Sequence, residues 1–459
     1  MGERFDSIVI GTGQAGPALA VRLATSGRRV AIIERDRLGG TCVNNGCIPT
    51  KALIASARAA HVARRARDFG VVVGSDVRVD MKQVKARKDA IVRRSTEGLD
   101  RWLRGTPGVT LIAGHARFTG AHAVRVADRD LEAPEIFVNV GGRASVEGIA
   151  GVDGVPYWTS ESMMEVDFLP EHLVIIGGSY IGLEFAQMYR RFGSRVTVVE
   201  LSKRVIARED DDVSDAVQAI LEREGIAFEL DTTCLAIARD GAGIAVNVSC
   251  GPERRVVNGS HVLLAVGRRP NTDDLGVEHA GIALDARGYI VVDDELKTSV
   301  AGVWALGDCN GRGAFTHTAY NDHQIVAANL LDGERRRVSE RIATYALFVD
   351  PPLGRAGLSE RDVRAQKLRV TMATMPMSRV GRAVERGETE GFMKVLVDAR
   401  TDRIVGASLL GIEGDEVVHS LLDVMYAGAP SALLRRAMHI HPTVSELVPT
   451  LLEGLRPLE

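Results

Sequence analysis

Short apolar runs broken by glycine-rich turns set the pattern at the start of the chain. Phe5-Asp6-Ser7-Ile8-Val9-Ile10 reads as a β-rich run, and Gly11-Thr12-Gly13-Gln14-Ala15-Gly16 follows at once. An Ala- and Leu-rich stretch of helical character comes next. A second apolar run, Arg29-Val30-Ala31-Ile32-Ile33, then stops at Glu34. This spacing predicts strand, turn, helix, strand. The same order returns later. Leu173-Val174-Ile175-Ile176 leads into Gly177-Gly178-Ser179-Tyr180-Ile181-Gly182, a helix through Leu183-Glu184-Phe185-Ala186, and Arg195-Val196-Thr197-Val198-Val199-Glu200. A third apolar run, Val300-Ala301-Gly302-Val303-Trp304-Ala305-Leu306, reads as a buried strand ending in Gly307-Asp308.

The character changes from about residue 340. Gly391–Asp398 and Arg403–Leu410 are strand-like, are joined by a turn at Ala399–Asp402, and are flanked by helical patterns. An α+β unit with an antiparallel sheet is expected there. The 459 residues exceed what one hydrophobic core supports, so roughly two to four domains are expected.

Each part of the repeated unit has a physical task. Gly11 makes the tight turn, Gly13 lets the backbone approach a pyrophosphate, and Gly16 lets helix and strand pack closely. The helix N-terminus offers free N–H groups and a positive dipole end to the phosphates. Glu34 is placed to accept the ribose hydroxyls. Gly177, Gly178, Gly182 and Glu200 repeat the arrangement, with Ser179 where the middle glycine would stand. Two dinucleotide units in one chain predict two nucleotides exchanging a hydride. Asp308, at a strand's carboxyl end, either reaches a ligand in the crevice there or caps the next helix.

A formal net charge of −3 argues against a nucleic-acid or acidic-membrane partner held by bulk charge. No apolar stretch is long enough to span a bilayer. Two of the five cysteines sit in Gly39-Gly40-Thr41-Cys42-Val43-Asn44-Asn45-Gly46-Cys47-Ile48-Pro49-Thr50-Lys51. Such a pair is redox-active, metal-binding or a structural bridge. Zinc usually needs four ligands, and no second Cys/His pair at finger spacing lies nearby, so no metal site is expected. Met1-Gly2-Glu3-Arg4 runs straight into a strand without a signal-peptide pattern. A cytoplasmic location is therefore expected, where a Cys pair is more often catalytic than structural. The pair lies at the beginning of a helix predicted through Ile48–Ala66, whose dipole lowers a thiol pKa. Cys234, Cys250 and Cys309 are isolated, and buried structural thiols are the default reading.

Taken together, these motifs resemble the flavoprotein disulfide reductases, the family of dihydrolipoamide dehydrogenase, glutathione reductase and mercuric reductase. The likeness runs from Gly11 to Glu446. It rests on the first glycine turn, Cys42 and Cys47 with Lys51, and the second turn with Glu184. Ala265-Val266-Gly267-Arg268-Arg269-Pro270, Gly307-Asp308 and His441-Pro442-Thr443-Val444-Ser445-Glu446 complete it. The resemblance implies an α/β fold with two Rossmann-like dinucleotide-binding domains, glutathione-reductase-like, plus a C-terminal α+β dimerisation domain. The divisions expected are an FAD-binding domain in two parts, 1–149 and 276–338, an NAD(P)-binding domain at 150–275 and an interface domain at 339–459. It implies FAD in the first site, NAD(P)H in the second, and a homodimer whose active site is completed by the partner's C-terminal domain.

By the same resemblance, Cys47 contacts the flavin and Cys42 attacks the substrate. Lys51 and Glu184 match an ion pair beside the flavin, Gly267 lies in a nucleotide-binding segment, and Asp308 is an FAD ligand. His441 and Glu446 match a catalytic base and its orienting acid, since protonating and deprotonating Cys42 needs a group that titrates near neutrality. Glu200 favours NADH over NADPH, although Lys203 and Arg204 follow closely and offer charge for a 2′-phosphate. The expected function is NAD(P)H oxidation with electrons passing through FAD and the Cys42–Cys47 disulfide to a small disulfide or other oxidised substrate. The run around Cys42 and Ser179 look mercuric-reductase-like, yet no Cys follows Cys309, where mercuric reductases carry a second pair. Dihydrolipoamide dehydrogenase, the E3 component of acyl-transfer complexes, is one alternative. A reductase of reactive chlorine or thiocyanate species or of metal ions is another, suggested by Gly307–Thr316.

Overall fold

The computed structural model describes residues 2–74, 77–232, 234–250 and 253–458, without the side chains of 234, 235, 250, 253 and 254. The expectations for Cys234 and Cys250 therefore lie outside the described residues. Cys309 is buried, as expected.

The first two apolar runs form adjacent parallel strands, Ser7–Ile10 and Val30–Glu34, with Val9 opposite Ile32. Strands Val109–Ala113, Glu135–Val138 and Val303–Ala305 complete a five-stranded parallel sheet. Its order is 303–305, 135–138, 7–10, 30–34, 109–113. The strands are mostly apolar because both faces are covered, with polar residues Ser7, Glu34 and Glu135 at strand ends. On one face, Leu19 and Leu23 of the helix Ala15–Thr25 share a core with Val9, Ile32, Ile325 and Val326. On the other, Ile8 and Ile10 meet Phe118, Val124 and Leu131. Strand 303–305 is far along the chain, yet it pairs in parallel with 135–138, Val303 opposite Ile136. The intervening chain is thus inserted between two parts of one sheet.

That insert holds a second parallel sheet in the order 158–159, 261–264, 172–176, 195–199, 226–229. Helix Tyr180–Phe192 follows its glycine turn. The C-terminal part forms a six-stranded antiparallel sheet in the order 344–347, 353–357, 404–410, 392–398, 370–376, 456–457. The hairpin expected at 391–410 is present, with Phe392 opposite Leu410. Helix Gly414–Tyr426 covers this sheet through Val417, Val418 and Leu421. The helix predicted from Ile48 begins at Cys47 and ends at Arg65, and a short helix, Gly40–Asn44, precedes it.

Candidate active site

Both glycine turns have the geometry their spacing requires. Gly11 has φ +102°, and a Cβ there would lie 2.3 Å from the Asn139 carbonyl oxygen. A Cβ on Gly16 would lie 2.1 Å from the Gly11 oxygen, so helix and strand touch only because both positions are glycine. Gly13 differs, because a Cβ there would meet nothing closer than the Asn139 amide nitrogen at 3.4 Å. Gly40 packs against it, since a Cβ on Gly40 would lie 2.9 Å from Gly13 Cα. Asn139 Nδ2 holds the turn by donating to the oxygens of Gly11 (3.3 Å) and Gly13 (3.1 Å). Glu34 Oε2 accepts from the Thr12 N–H at 3.0 Å, and Oε1 accepts from the Asp36 N–H at 3.0 Å.

The second turn is built alike. Glu200 Oε2 accepts from the Gly178 N–H (2.6 Å) and Oε1 from the Ser202 N–H (2.8 Å). Ser179 has φ −96°, an ordinary conformation for a side-chain-bearing residue, so its departure from glycine costs the turn nothing. Gly267 lies one residue past the segment that follows strand 261–264, at φ +137°.

Cys42 sits on the short helix 40–44 and Cys47 opens the helix 47–65. The Asn44 side chain ties the start of the short helix, donating to the oxygens of Leu38 (2.9 Å) and Gly40 (3.0 Å). Both cysteines are free thiols, half-buried for Cys42 and exposed for Cys47. They titrate in opposite directions. A hydrogen bond from Cys42, helped by the Thr316 hydroxyl and the Lys51 ammonium, lowers the Cys47 thiol to about 6. The same bond to Cys47, with burial, pushes Cys42 far up. The pair shares one proton, and the Thr316 hydroxyl and Lys51 ammonium favour the negative charge on Cys47.

One turn along the helix, Lys51 Nζ lies 2.8 and 3.0 Å from the two oxygens of Glu184. The Glu184 side chain is only 7% exposed, so its charge depends on that partner. The Phe348 N–H also donates to Glu184 Oε1 at 3.1 Å, and Lys51 Nζ lies 4.4 Å above the Phe348 ring. The helix after the first sheet brings Thr316, whose hydroxyl is 3.0 Å from Cys47 Sγ. Asp308, eight residues earlier, is half-buried; burial pushes its carboxyl up, and the Arg268 guanidinium, 3.7 Å away, opposes this. Thr316 and Phe348 were not singled out from sequence. Their only signal there is position: Thr316 ends the run that follows Gly307-Asp308, and Phe348 stands just before the Asp350-Pro351-Pro352 step.

His441 and Glu446 are together, Nδ1 to Oε2 at 2.8 Å. The Arg382 guanidinium donates to the Pro442 oxygen at 2.7 and 3.2 Å and fixes the loop. The imidazole is 80% exposed, and Met438 and Ile440 beside it are exposed as well. Among the described residues no hydrogen bond or ion pair joins His441 to either cysteine of the same chain.

The family description "Pyridine nucleotide-disulphide oxidoreductase" matches residues 5–322, and its dimerisation domain matches residues 343–452. The chain belongs to this family. It is an FAD- and pyridine-nucleotide-dependent oxidoreductase whose fold combines the expected α/β sheets with a C-terminal dimerisation domain. The dimerisation domain supports a homodimer. No helix among the described residues is long and apolar enough to cross a membrane.

The chain is 35% identical over 452 residues to the probable pyridine nucleotide-disulfide oxidoreductase RclA of Escherichia coli (strain K12), covering 97% of this chain and 98% of the relative. It is 33% identical to the dihydrolipoyl dehydrogenase of Haloferax volcanii and 33% identical to the mercuric reductase of Streptomyces lividans, with 96% of this chain and 94% of the relative covered in each case. The structure of the HOCl-induced flavoprotein disulfide reductase RclA superposes with a TM-score of 0.89 at 34% identity, over 98% of this chain and 99% of that one. RclA has also been solved as a Cu(II) complex. The residues fit the family's flavin. The Gly11–Gly16 turn, the fixed Glu34 carboxylate, Asp308 and Lys51 are the groups that would hold it.

Proposed function

We propose that this oxidoreductase takes electrons from NADH and delivers them through Cys42 and Cys47 to a small oxidised acceptor. FAD, held by the Gly11–Gly16 turn, Glu34, Lys51 and Asp308, would supply the hydride acceptor between the nicotinamide and the disulfide. The observation that carries this reading is the asymmetric thiol pair beside Lys51 and Glu184. Cys47 holds the charge on the side of the ion pair, and Cys42 keeps the proton until a base removes it. Cys42 is then the nucleophile toward the acceptor. His441, held by Glu446, is the base, supplied across the homodimer interface, which its exposure in the single chain supports. The same reading divides the chain into 1–149 with 276–338, 150–275, and 339–459.

NADH is the preferred donor in this proposal. The Glu200 carboxylate is pinned by two backbone N–H groups where ribose hydroxyls bind, and a fixed negative charge there repels a 2′-phosphate. Of the two nearby cations, Lys203 and Arg204, Arg204 is already engaged by Asp215 (2.7 Å) and Asp211 (3.2 Å).

For the acceptor, likeness to RclA over nearly the whole chain supports a redox-active metal ion such as Cu(II) or an oxidant-derived species. The reduced pair balances this chemistry: two Cu(II) gain one electron each, the single Cys42 proton leaves, and the disulfide forms. A lipoamide-type disulfide is the second reading, supported by the His441–Glu446 pair, which suits thiol–disulfide exchange. The test is anaerobic rapid mixing. The enzyme is reduced with NADH and then offered Cu(II), Hg(II), hypochlorite-derived oxidants or lipoamide. Fast reoxidation by Cu(II) with slow response to lipoamide is expected. The opposite order establishes the lipoamide reading, and failure of every acceptor refutes both.

A further inference from the structure

We infer that Thr316 is a further catalytic residue, whose hydroxyl donates to the Cys47 sulfur and stabilises it as the thiolate each time the disulfide opens. This rests on the proposed relay through Cys42 and Cys47. Opening the disulfide takes two electrons and one proton. The S–S bond breaks, the proton ends on Cys42, and Cys47 is left negative. A divalent sulfur in a disulfide is a weak acceptor, whereas a thiolate is a strong one, so a donor aimed at Cys47 favours the reduced state.

The geometry singles out this hydroxyl. Thr316 is the first residue of the helix Thr316–Leu331, and its Oγ1 is 3.0 Å from Cys47 Sγ. A threonine at a helix start usually serves the backbone. Here that task is taken by Thr318, whose Oγ1 accepts from the Phe315 N–H (3.1 Å) and donates to the Phe315 oxygen (2.6 Å). The Thr316 hydroxyl lies 3.0 Å from the Cys47 sulfur and reaches Cys42 as well, so it serves the thiol pair rather than the backbone. The other groups that act on Cys47 are Cys42, Lys51 and Glu184. Lys51, 2.8 Å from Glu184, acts on Cys47 only through its charge, which Glu184 opposes, so Cys42 and Thr316 supply the direct hydrogen bonds to the sulfur. Phe315 and His317 stack in parallel with centroids 5.4 Å apart, and Phe315 stacks on Tyr345 at 5.3 Å, so the backbone on both sides of Thr316 is held in place.

The test uses the FAD-loaded enzyme and its Thr316→Val, Thr316→Ala and Thr316→Ser variants, reduced by two electrons without oxygen. The pH dependence of the long-wavelength absorbance that a thiolate gives beside oxidised flavin reports the Cys47 charge. Valine keeps the branched shape and removes the donor. The thiolate-to-thiol ratio at fixed pH is expected to fall about ten- to a hundredfold, the worth of a hydrogen bond to a charged group, so the midpoint moves up. Serine is expected to restore it. A midpoint unchanged in Val and Ala overturns the inference, and so does loss of flavin from both, which makes Thr316 structural. Absence of the band from the parent enzyme instead removes the underlying relay.

Discussion

Glu200→Gln is the sharpest test of donor choice. The substitution removes one negative charge and keeps the side-chain shape. In the parent, both carboxylate oxygens accept backbone N–H groups, at 2.6 and 2.8 Å, so the charge is fixed in place rather than free to swing away. A phosphate oxygen about 4 Å from that charge is repelled by about 1 kcal/mol in water and about 4 kcal/mol at an effective dielectric of 20. Glu200 is half-buried, so about 2 kcal/mol is a reasonable middle value, roughly thirtyfold in relative affinity. The parent should therefore be reduced much faster by NADH than by low NADPH. Glu200→Gln should narrow the ratio by about thirtyfold, mainly by improving NADPH, and rising salt should narrow it in the parent as well. Adding Asp215→Asn, which frees Arg204 from its 2.7 Å partner, should push the preference further toward NADPH. The assay is stopped-flow flavin reduction at several concentrations of each nucleotide. Equal reduction of the parent by both, or a ratio indifferent to Glu200→Gln, refutes the reasoning.

His441→Ala should leave reduction by NADH unchanged and slow turnover with a disulfide acceptor by about a hundredfold or more, the usual contribution of a placed base; an equal loss in both half-reactions contradicts this role. Alkylation of the reduced enzyme at Cys47 should reach half its maximal rate near pH 6, since that thiol is lowered to about 6 by Cys42, Thr316 and Lys51. A lowered folded pKa of an acid stabilises the reduced fold above the ordinary thiol range, and that contribution should disappear as pH falls through about 6. A midpoint near pH 8.5, that of an ordinary thiol, defeats the assignment. Glu184→Gln should destabilise the holoenzyme by about 1–3 kcal/mol in denaturant melts, less than a fully buried pair because the Lys51 side chain is one-third exposed, at 33%. Glu184→Gln combined with Lys51→Met should recover part of the loss, and strict additivity rules out the coupling.

The parts of the site that were legible in sequence are those whose chemistry is local. Gly11, Gly16 and Glu34 form one turn and the strand next to it, and packing of that turn admits no side chain. The pairing of Lys51 with Glu184, 133 residues apart, could be placed only by resemblance, because spacing carries no information across two sheets. Thr316 is 269 residues from Cys47, and a lone threonine at a helix start reads as a cap. Phe348 acts partly through its backbone N–H, which no side-chain pattern reveals. Ser179 looked like a weak point in the second turn, yet its negative φ makes it an ordinary residue. The return of strand 303–305 to the first sheet follows from its apolar run only once the sheet order is known.

The relay through Cys42 and Cys47 is tested most directly by counting electrons. Anaerobic titration should consume two molecules of dithionite, four electrons, per FAD in the parent, one pair of electrons entering the disulfide and one the flavin. Cys47→Ser should still bind FAD and consume about one. A parent that takes up only one molecule, or a Cys47→Ser variant that takes up as much as the parent, contradicts the account.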